Sequence, residues 1–174
     1  QLFTWYFSGD TEIPISDGNM VLKVSPQSAE ILNEAFQNYG AGVWGRRTFD
    51  IAGAWGGHPP GSPCFVVTHH IPQEWAYEGS PFTFVTDGVE SAIRQAKETA
   101  GDKDVVLCTA SVLQQALRAG LVDEIHADVA PLLLGNGVRL FDNLSEPIEL
   151  EAIRVVQAPH VTHLGFRVIQ KTTK

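Results

Sequence analysis

Apolar positions along the chain fall into two alternating periods, and the switch between them marks the elements. Ala29, Ile31, Leu32, Ala35 and Phe36 recur at near-helical spacing. They predict a helix over 26–39, with Ser25 as N-cap, Pro26 at the first helical position and Gly40 as its stop. The apolar run 41–44, ending at Gly45, reads as a buried strand, and 48–52 as a short helix. Strands follow at 63–68, around Phe65, Val66 and Val67, and at 82–86. Asp87 is placed to cap the next helix, with Glu90 three residues on as a capping box. Val89, Ala92, Ile93, Ala96 and Ala100 form its inner face, and Gly101 ends it. A strand at 104–107 precedes a helix over 110–119, with Val112, Leu113, Ala116 and Leu117 inward and Gly120 beyond. Strands alternating with helices imply a parallel sheet joined by crossovers.

The two ends of the chain break this rhythm. Segments 124–134, 148–156 and 162–169 read as strands with no helix between them, and 157–160 as a turn. His163, Gly165 and Arg167 alternate with Leu164, Phe166 and Val168, the period of a half-exposed strand. His160 and His163, three apart, are expected on opposite faces, and no metal site is assigned to any histidine. At the start, 2–7 is aromatic and strand-like, and 8–23 mixes Gly, Asp, Pro and Ser as a loop would. The expected fold is therefore α/β: a mixed sheet with a parallel core, antiparallel C-terminal edge strands and helices on both faces. One domain spans 1–174.

Composition narrows the function. With 44% hydrophobic and 18% charged residues, the chain is of the globular type. A net charge of −8 argues against bulk nucleic-acid binding, which depends on Lys and Arg displacing phosphate counterions. An anionic cofactor is still compatible, because local charge in a cleft outweighs net charge. Cys64 and Cys108 each lie in an apolar run and read as free buried thiols in a reducing compartment. No apolar stretch is long enough to span a membrane and no signal-peptide pattern occurs, so a cytoplasmic location is expected.

Three turns could carry chemistry. Gly45-Arg46-Arg47-Thr48 stands where a buried strand meets a helix. Glycine allows close backbone approach, the helix start offers free N–H groups, Thr48 adds a hydroxyl, and the arginines add forked donors suited to phosphate monoesters. An extra phosphate on the adenosine ribose would use them, which favours NADPH over NADH. The alternative is a solvated turn with surface arginines. At Cys108-Thr109-Ala110-Ser111, the two hydroxyls suit either helix capping or a phosphate. Leu134-Gly135-Asn136-Gly137 reads as a tight turn or bulge. No GxSxG, HExxH, P-loop or GxGxxG motif is present.

These blocks, with Leu121-Val122-Asp123-Glu124-Ile125-His126 and the long run from Ala130 to Phe141, resemble the dihydrofolate-reductase-like family. The closest branch is the reductase domain of bifunctional riboflavin-biosynthesis deaminase-reductases, and the likeness covers nearly the whole chain. The resemblance implies a three-layer fold, NADPH, and hydride transfer to a small pterin- or pyrimidine-like heterocycle or its sugar chain. It also implies a homodimer. It assigns Gly45, Arg46, Arg47 and Thr48 to the cofactor's phosphates, Thr68 and His69 to its ribose-phosphate, and Cys108, Thr109, Ala110 and Ser111 to its pyrophosphate. Gly135, Asn136 and Gly137 fall near the substrate end or a subunit contact.

Two departures bear on activity. The family usually has Gly-Gly where this chain has Cys108-Thr109, and in related reductases that pair carries a cis peptide against the cofactor. Side chains there predict weaker cofactor binding and open a second reading, a ligand-binding or dimer-forming member that has lost turnover. The family's first strand and its Ser-Leu-Asp-Gly-like turn have no counterpart after Gln1, and are expected upstream. No catalytic acid stands out. Glu30 and Glu34 lie on the helix that carries one in folate reductases, where an exposed carboxylate is the simpler explanation.

Overall fold

The computed structural model describes residues 2–15, 18 and 20–169. Its centre is a four-stranded parallel sheet built from β3 (Tyr39–Gly45), β4 (Cys64–Val67), β5 (Phe82–Val85) and β6 (Asp104–Leu107), in the order β5-β4-β3-β6. The central strands β3 and β4 are buried on both sides, as a parallel sheet requires, whereas β6 at the edge leaves Asp104 and Val106 exposed. Ala41, Val43, Phe65 and Val85 face α3 (Val89–Ala100) and α4 (Ala110–Arg118), whose Ala92, Ala96, Val112 and Ala116 complete that core. Cys64, Val66 and Phe82 face the other way, toward Phe49 of α2 (Arg46–Ile51) and a layer of Trp44, Trp55, Trp75 and Phe84. There Phe49 meets Phe82 edge to face, with ring centres 5.0 Å apart.

The antiparallel ladder is hydrogen-bonded as a sheet of its own, β7-β9-β8, from β7 (Glu124–Val129), β8 (Leu150–Ala158) and β9 (Val161–Val168). It shares the parallel sheet's core through Ile125, Phe166 and Val168. Among the described residues, neither the outer edge of β6 nor that of β7 has a strand partner.

Several sequence expectations need correction. Segment 8–23 is not all loop: β1 (Thr11–Ile15) and β2 (Met20–Val24) form an antiparallel hairpin. Ile13, Leu22 and Val24 turn inward to meet Ala29 and Leu32 of α1 (Pro26–Asn38). Pro14 sits in a two-stranded ribbon, where a missing N–H is tolerated. The aromatic run 2–7 is not a strand. It winds into a 3₁₀ turn, Thr4–Tyr6, that buries Trp5 against Tyr6. Gly88, not Asp87, caps α3, and no side chain completes the cap, because a φ of 105° there turns the chain into the helix one residue later. β7 stops at Val129, and 130–134 leaves the ladder. His163 is buried, not half-exposed, because α1 and the 3₁₀ turn cover that side of β9.

Candidate functional site

The chain's path creates one topological switch point, where a crevice is expected. From β3 it runs through α2 to β4 on one side, whereas from β5 it runs through α3 back to β6 on β3's other side. The helices that follow the adjacent strands β3 and β6 therefore lie on opposite faces of the sheet. Such a switch point, at the carboxyl ends of parallel strands, is where α/β sheets bind ligands. Its two lips are Gly45–Arg46 and Cys108–Ser111, two of the three turns singled out from the sequence.

Gly45 has an ordinary φ of −87°, so conformational freedom does not require glycine there. Close approach does. A Cβ at Gly45 would stand 3.0 Å from Thr109 Oγ1 and 3.3 Å from Ser111 Oγ. The peptide Cys108–Thr109 is trans, since the cis bond among the described residues is Ser62–Pro63. Cys108 N–H donates to the Val43 carbonyl at 3.0 Å, which extends β6 along β3 up to the crevice. Thr109 occupies the N-cap position of α4 with extended backbone, yet its hydroxyl makes no capping hydrogen bond. That hydroxyl oxygen is buried and has no partner. A buried, unpaired hydroxyl costs about 1–3 kcal/mol and calls for an explanation. Here it lies beside an uncapped helix start and a second hydroxyl, a donor set that fits one phosphate group.

The arginines divide their work. Arg46 is held in place: Nη1 donates to Thr68 Oγ1 at 3.2 Å and to the His70 carbonyl at 2.6 Å, while Nε donates to Asp50 Oδ1 at 2.7 Å. Thr68 is buried and its hydroxyl in turn donates to the His70 carbonyl. Arg46 thus stitches the ends of β3 and β4 together, and Asp50, one helical turn on, is a partner that i,i+4 spacing could have revealed. Arg47 is exposed, Thr48 is half-buried on the first turn of α2, and His69 is exposed beyond β4. The α2 helix is too short to contribute much dipole, so the phosphate fit rests on α4 and its hydroxyls.

The third turn lies elsewhere. Gly135 has a φ of 77°, so the tight bend exists, but residues 131–141 are exposed throughout. Gln114 Nε2 ties the segment to α4 by donating to the Arg139 and Leu140 carbonyls. Leu133, Leu134 and Val138 project outward, Leu133 fully so. A cavity of about 850 Å³ lies away from the turns at Gly45–Arg46 and Cys108–Ser111; Asp87–Ser91, Arg94, Gln115 and Arg118 line most of it.

Neither helix carboxylate is buried in a site. Glu30 is exposed. Glu34 is exposed and accepts a 2.7 Å hydrogen bond from Arg154, which holds its carboxyl below the usual range and therefore ionised at neutral pH. Both thiols are free, and burial pushes them up: Cys64 to about 12, and Cys108 higher still, with the nearby Cys64 adding to it. Neither is a thiolate near neutral pH.

A parallel sheet with hydroxyl and guanidinium side chains at its switch point, flanked by an antiparallel ladder, defines a mixed α/β protein of the kind that binds ligands at its strand ends. A family model, the RibD C-terminal domain, matches residues 4–164, and the chain belongs to that family. No curated protein sequence matches it. Among solved structures it is similar to a candidate riboflavin biosynthesis protein from Shewanella sp. PV-4, at 21% identity and a TM-score of 0.66, covering 92% of this chain and 94% of that one. It also resembles a pyrimidine reductase-like protein from Corynebacterium diphtheriae (14% identity, TM-score 0.59, 83% and 82% covered). A third is the diaminohydroxyphosphoribosylaminopyrimidine deaminase/5-amino-6-(5-phosphoribosylamino)uracil reductase of Thermotoga maritima (14%, 0.58), of which the chain spans 54%. These likenesses establish a shared fold: a riboflavin-biosynthesis reductase-like α/β domain with a dihydrofolate-reductase-like architecture.

Proposed function

We propose that this chain is an NADPH-dependent reductase that acts on a small pyrimidine- or pterin-like heterocycle or its sugar chain. The observation that carries the reading is the buried, unpartnered Thr109 hydroxyl, beside Ser111 and the uncapped start of α4, at the sheet's switch point. The donors there suit the cofactor's pyrophosphate, and Arg47, free of protein partners among the described residues, suits its ribose phosphate. When bound, NADPH would supply the hydride; the chain's part is to orient it and exclude water. Arg46 would act by fixing the wall of the site, since its Nε and Nη1 donors are already engaged. His69 lies one residue from the buried Thr68, where it could reach the ribose. Two free thiols, Cys64 buried and Cys108 half-buried, and a charge of −8 agree with a cytoplasmic protein whose partner is a small molecule rather than nucleic acid.

Titration of the purified chain with NADPH and with NADH, followed by nicotinamide fluorescence, tests the reading. Saturable NADPH binding at micromolar concentration, at least ten-fold tighter than NADH, is expected. No binding at millimolar cofactor would favour the second reading, a member of the family without turnover. One observation favours that alternative: Thr109 and Ser111 fill the space directly against Gly45. Gain of affinity on Cys108→Gly/Thr109→Gly would then show that these side chains obstruct the site. Either reading includes a homodimer through the exposed Leu132–Leu134 and Val138–Phe141 segment, for which light scattering of the parent and of Leu133→Glu is the check.

A further inference from the structure

A reduction of C=N or C=O needs a proton as well as a hydride, and Glu30 and Glu34 are both exposed, with Glu34 paired to Arg154. The structure holds another proton path that no sequence motif announces. Asp128 Oδ1 lies 2.7 Å from His163 Nδ1, and His163 Nε2 lies 2.8 Å from Ser28 Oγ. Ser28 Oγ in turn lies 3.1 Å from Ser25 Oγ. The residues are 35 and 135 positions apart in the chain, but Asp128 and His163 are opposite each other in the β7–β9 register.

Burial makes this a conduit with two open ends. Ser28 and His163 are 1% and 2% exposed, whereas Ser25 is half-buried and Asp128 reaches the surface. Donor rules fix its resting polarity. A carboxylate only accepts, so Nδ1 carries the proton toward Asp128 and Nε2 accepts from Ser28 O–H. Ser28 Oγ accepts from Ser25 O–H, and Ser25 Oγ accepts the Ser28 backbone N–H at 3.2 Å. Trp5 closes the ring's flank edge to face at 5.3 Å. The titratable groups facing His163 are Asp128 from β7 and, beside Asp128, Tyr6 from the 3₁₀ turn, whose hydroxyl is pushed up to about 12 by burial and by that carboxylate. From β8 the residue opposite is Val156, and from α1 it is Ser28.

A serine nucleophile is not what this arrangement builds. Ser28 is sealed from substrate, and the Ser28 and Ala29 N–H groups that an oxyanion would need already donate to Ser25. The outlet is Ser25, the half-buried N-cap of α1. The 13-residue α1 passes straight into the 7-residue β3. Helix and strand are both about 20 Å long, so an α1 that folds back along β3 brings Ser25 toward the end of the sheet where β3 finishes at Gly45.

The geometry points to Asp128–His163–Ser28–Ser25 as the proton relay of the proposed reduction, with Ser25 the donor to substrate. The role rests on the reductase reading; the relay itself does not. When bound, NADPH would supply the hydride to the C=N or C=O carbon. The substrate nitrogen or oxygen that gains the π pair would take the Ser25 hydroxyl proton, Ser25 would take that of Ser28, and Ser28 would take the Nε2 proton of a doubly protonated His163 whose Nδ1–H stays on Asp128. His163 would be left neutral, and the chain would recharge in reverse from water once product leaves.

The whole chain is tested as wild type, Ser28→Ala and Ser25→Ala. With NADPH and 5-amino-6-(5-phosphoribosylamino)uracil as probes, Ser28→Ala should bind NADPH within two-fold of wild type yet oxidise it at least 30-fold more slowly at pH 7.5. It should recover at least five-fold on lowering the pH to 6, a larger change than wild type shows over the same range. Unchanged rate and pH profile would overturn the relay. Nitrogen-15 NMR of His163 in the cofactor-free protein is the independent arm. Protonated Nδ1 with bare Nε2 at pH 8, and solvent exchange of the Nε2 proton at pH 5.5 slowed at least five-fold by Ser25→Ala, are expected. The opposite tautomer, or exchange indifferent to Ser25→Ala, would overturn it. If wild type binds no NADPH, the reductase reading fails and the NMR arm alone decides the relay.

Discussion

At the scale of single residues, a hydroxyl with nothing to bond and a guanidinium with too much to bond make separable predictions. Thr109→Val removes a buried polar atom that has no partner, so the apo protein should unfold at the same denaturant midpoint or higher, within about 1 kcal/mol. NADPH affinity should fall about ten-fold, as expected for one hydrogen bond to a charged group. Chemical denaturation and cofactor titration of the same variant check both; a stability loss without an affinity loss would make Thr109 structural. Arg46→Ala should cost about 1–2 kcal/mol of stability, because it unties Thr68 and the His70 carbonyl from β3. Arg47→Ala should leave the midpoint unchanged and narrow the preference for NADPH over NADH. Spacing showed that Gly45–Thr48 begins a helix, but not that its first arginine is spent on the protein. That depends on β4 ending beside β3, a tertiary fact.

Among elements, those with one strong period were legible. The inner face of α3, read from Val89, Ala92, Ile93 and Ala96, is the face that packs on β3. Its small residues set the distance between helix and sheet, so Ala92→Leu, at a fully buried position, should destabilise by about 1–3 kcal/mol, measured by urea unfolding. The β1–β2 hairpin was missed because Gly, Asp, Pro and Ser dilute its alternation, although Ile13, Leu22 and Val24 do alternate. The 2–7 run misled in the opposite sense: aromatic content resembles strand, while the actual driver is the seat for Trp5 against Tyr6 and His163. His163 was placed on an exposed face because the polar side of β9 looks solvated in isolation. Its partners Ser28 and Asp128 come from α1 and β7, and no local window holds all three.

For the whole molecule, the two-faced core has a consequence in pH. The Cys64 thiol is raised to about 12 when folded, against an ordinary value near 9 when unfolded. Between those values the unfolded chain binds fewer protons than the folded one, so stability is fully present below about pH 9 and is lost as pH rises toward 12. The loss should approach about 1.4 kcal/mol per pH unit for this thiol, and Cys64→Ala should lessen the slope, leaving the part due to Cys108, whose thiol is also raised by burial. Equilibrium unfolding from pH 7 to 10.5 checks it; a flat wild-type profile would mean that the thiol is not sealed. The parallel-then-antiparallel order was visible in the sequence because helices stop after Arg118 while strands continue. Division into separately bonded sheets was not visible, since period alone does not say which edges meet.

The central claim is that a dinucleotide's phosphates lie between the ends of β3 and β6. Amide chemical-shift mapping during titration with NADP⁺ tests it most directly. The account predicts saturable shifts concentrated at Gly45–Thr48 and Thr109–Val112, lost in Thr109→Val at equal cofactor. Shifts that cluster instead around Asp87–Ser91 and Arg118, or none at millimolar NADP⁺, would contradict it.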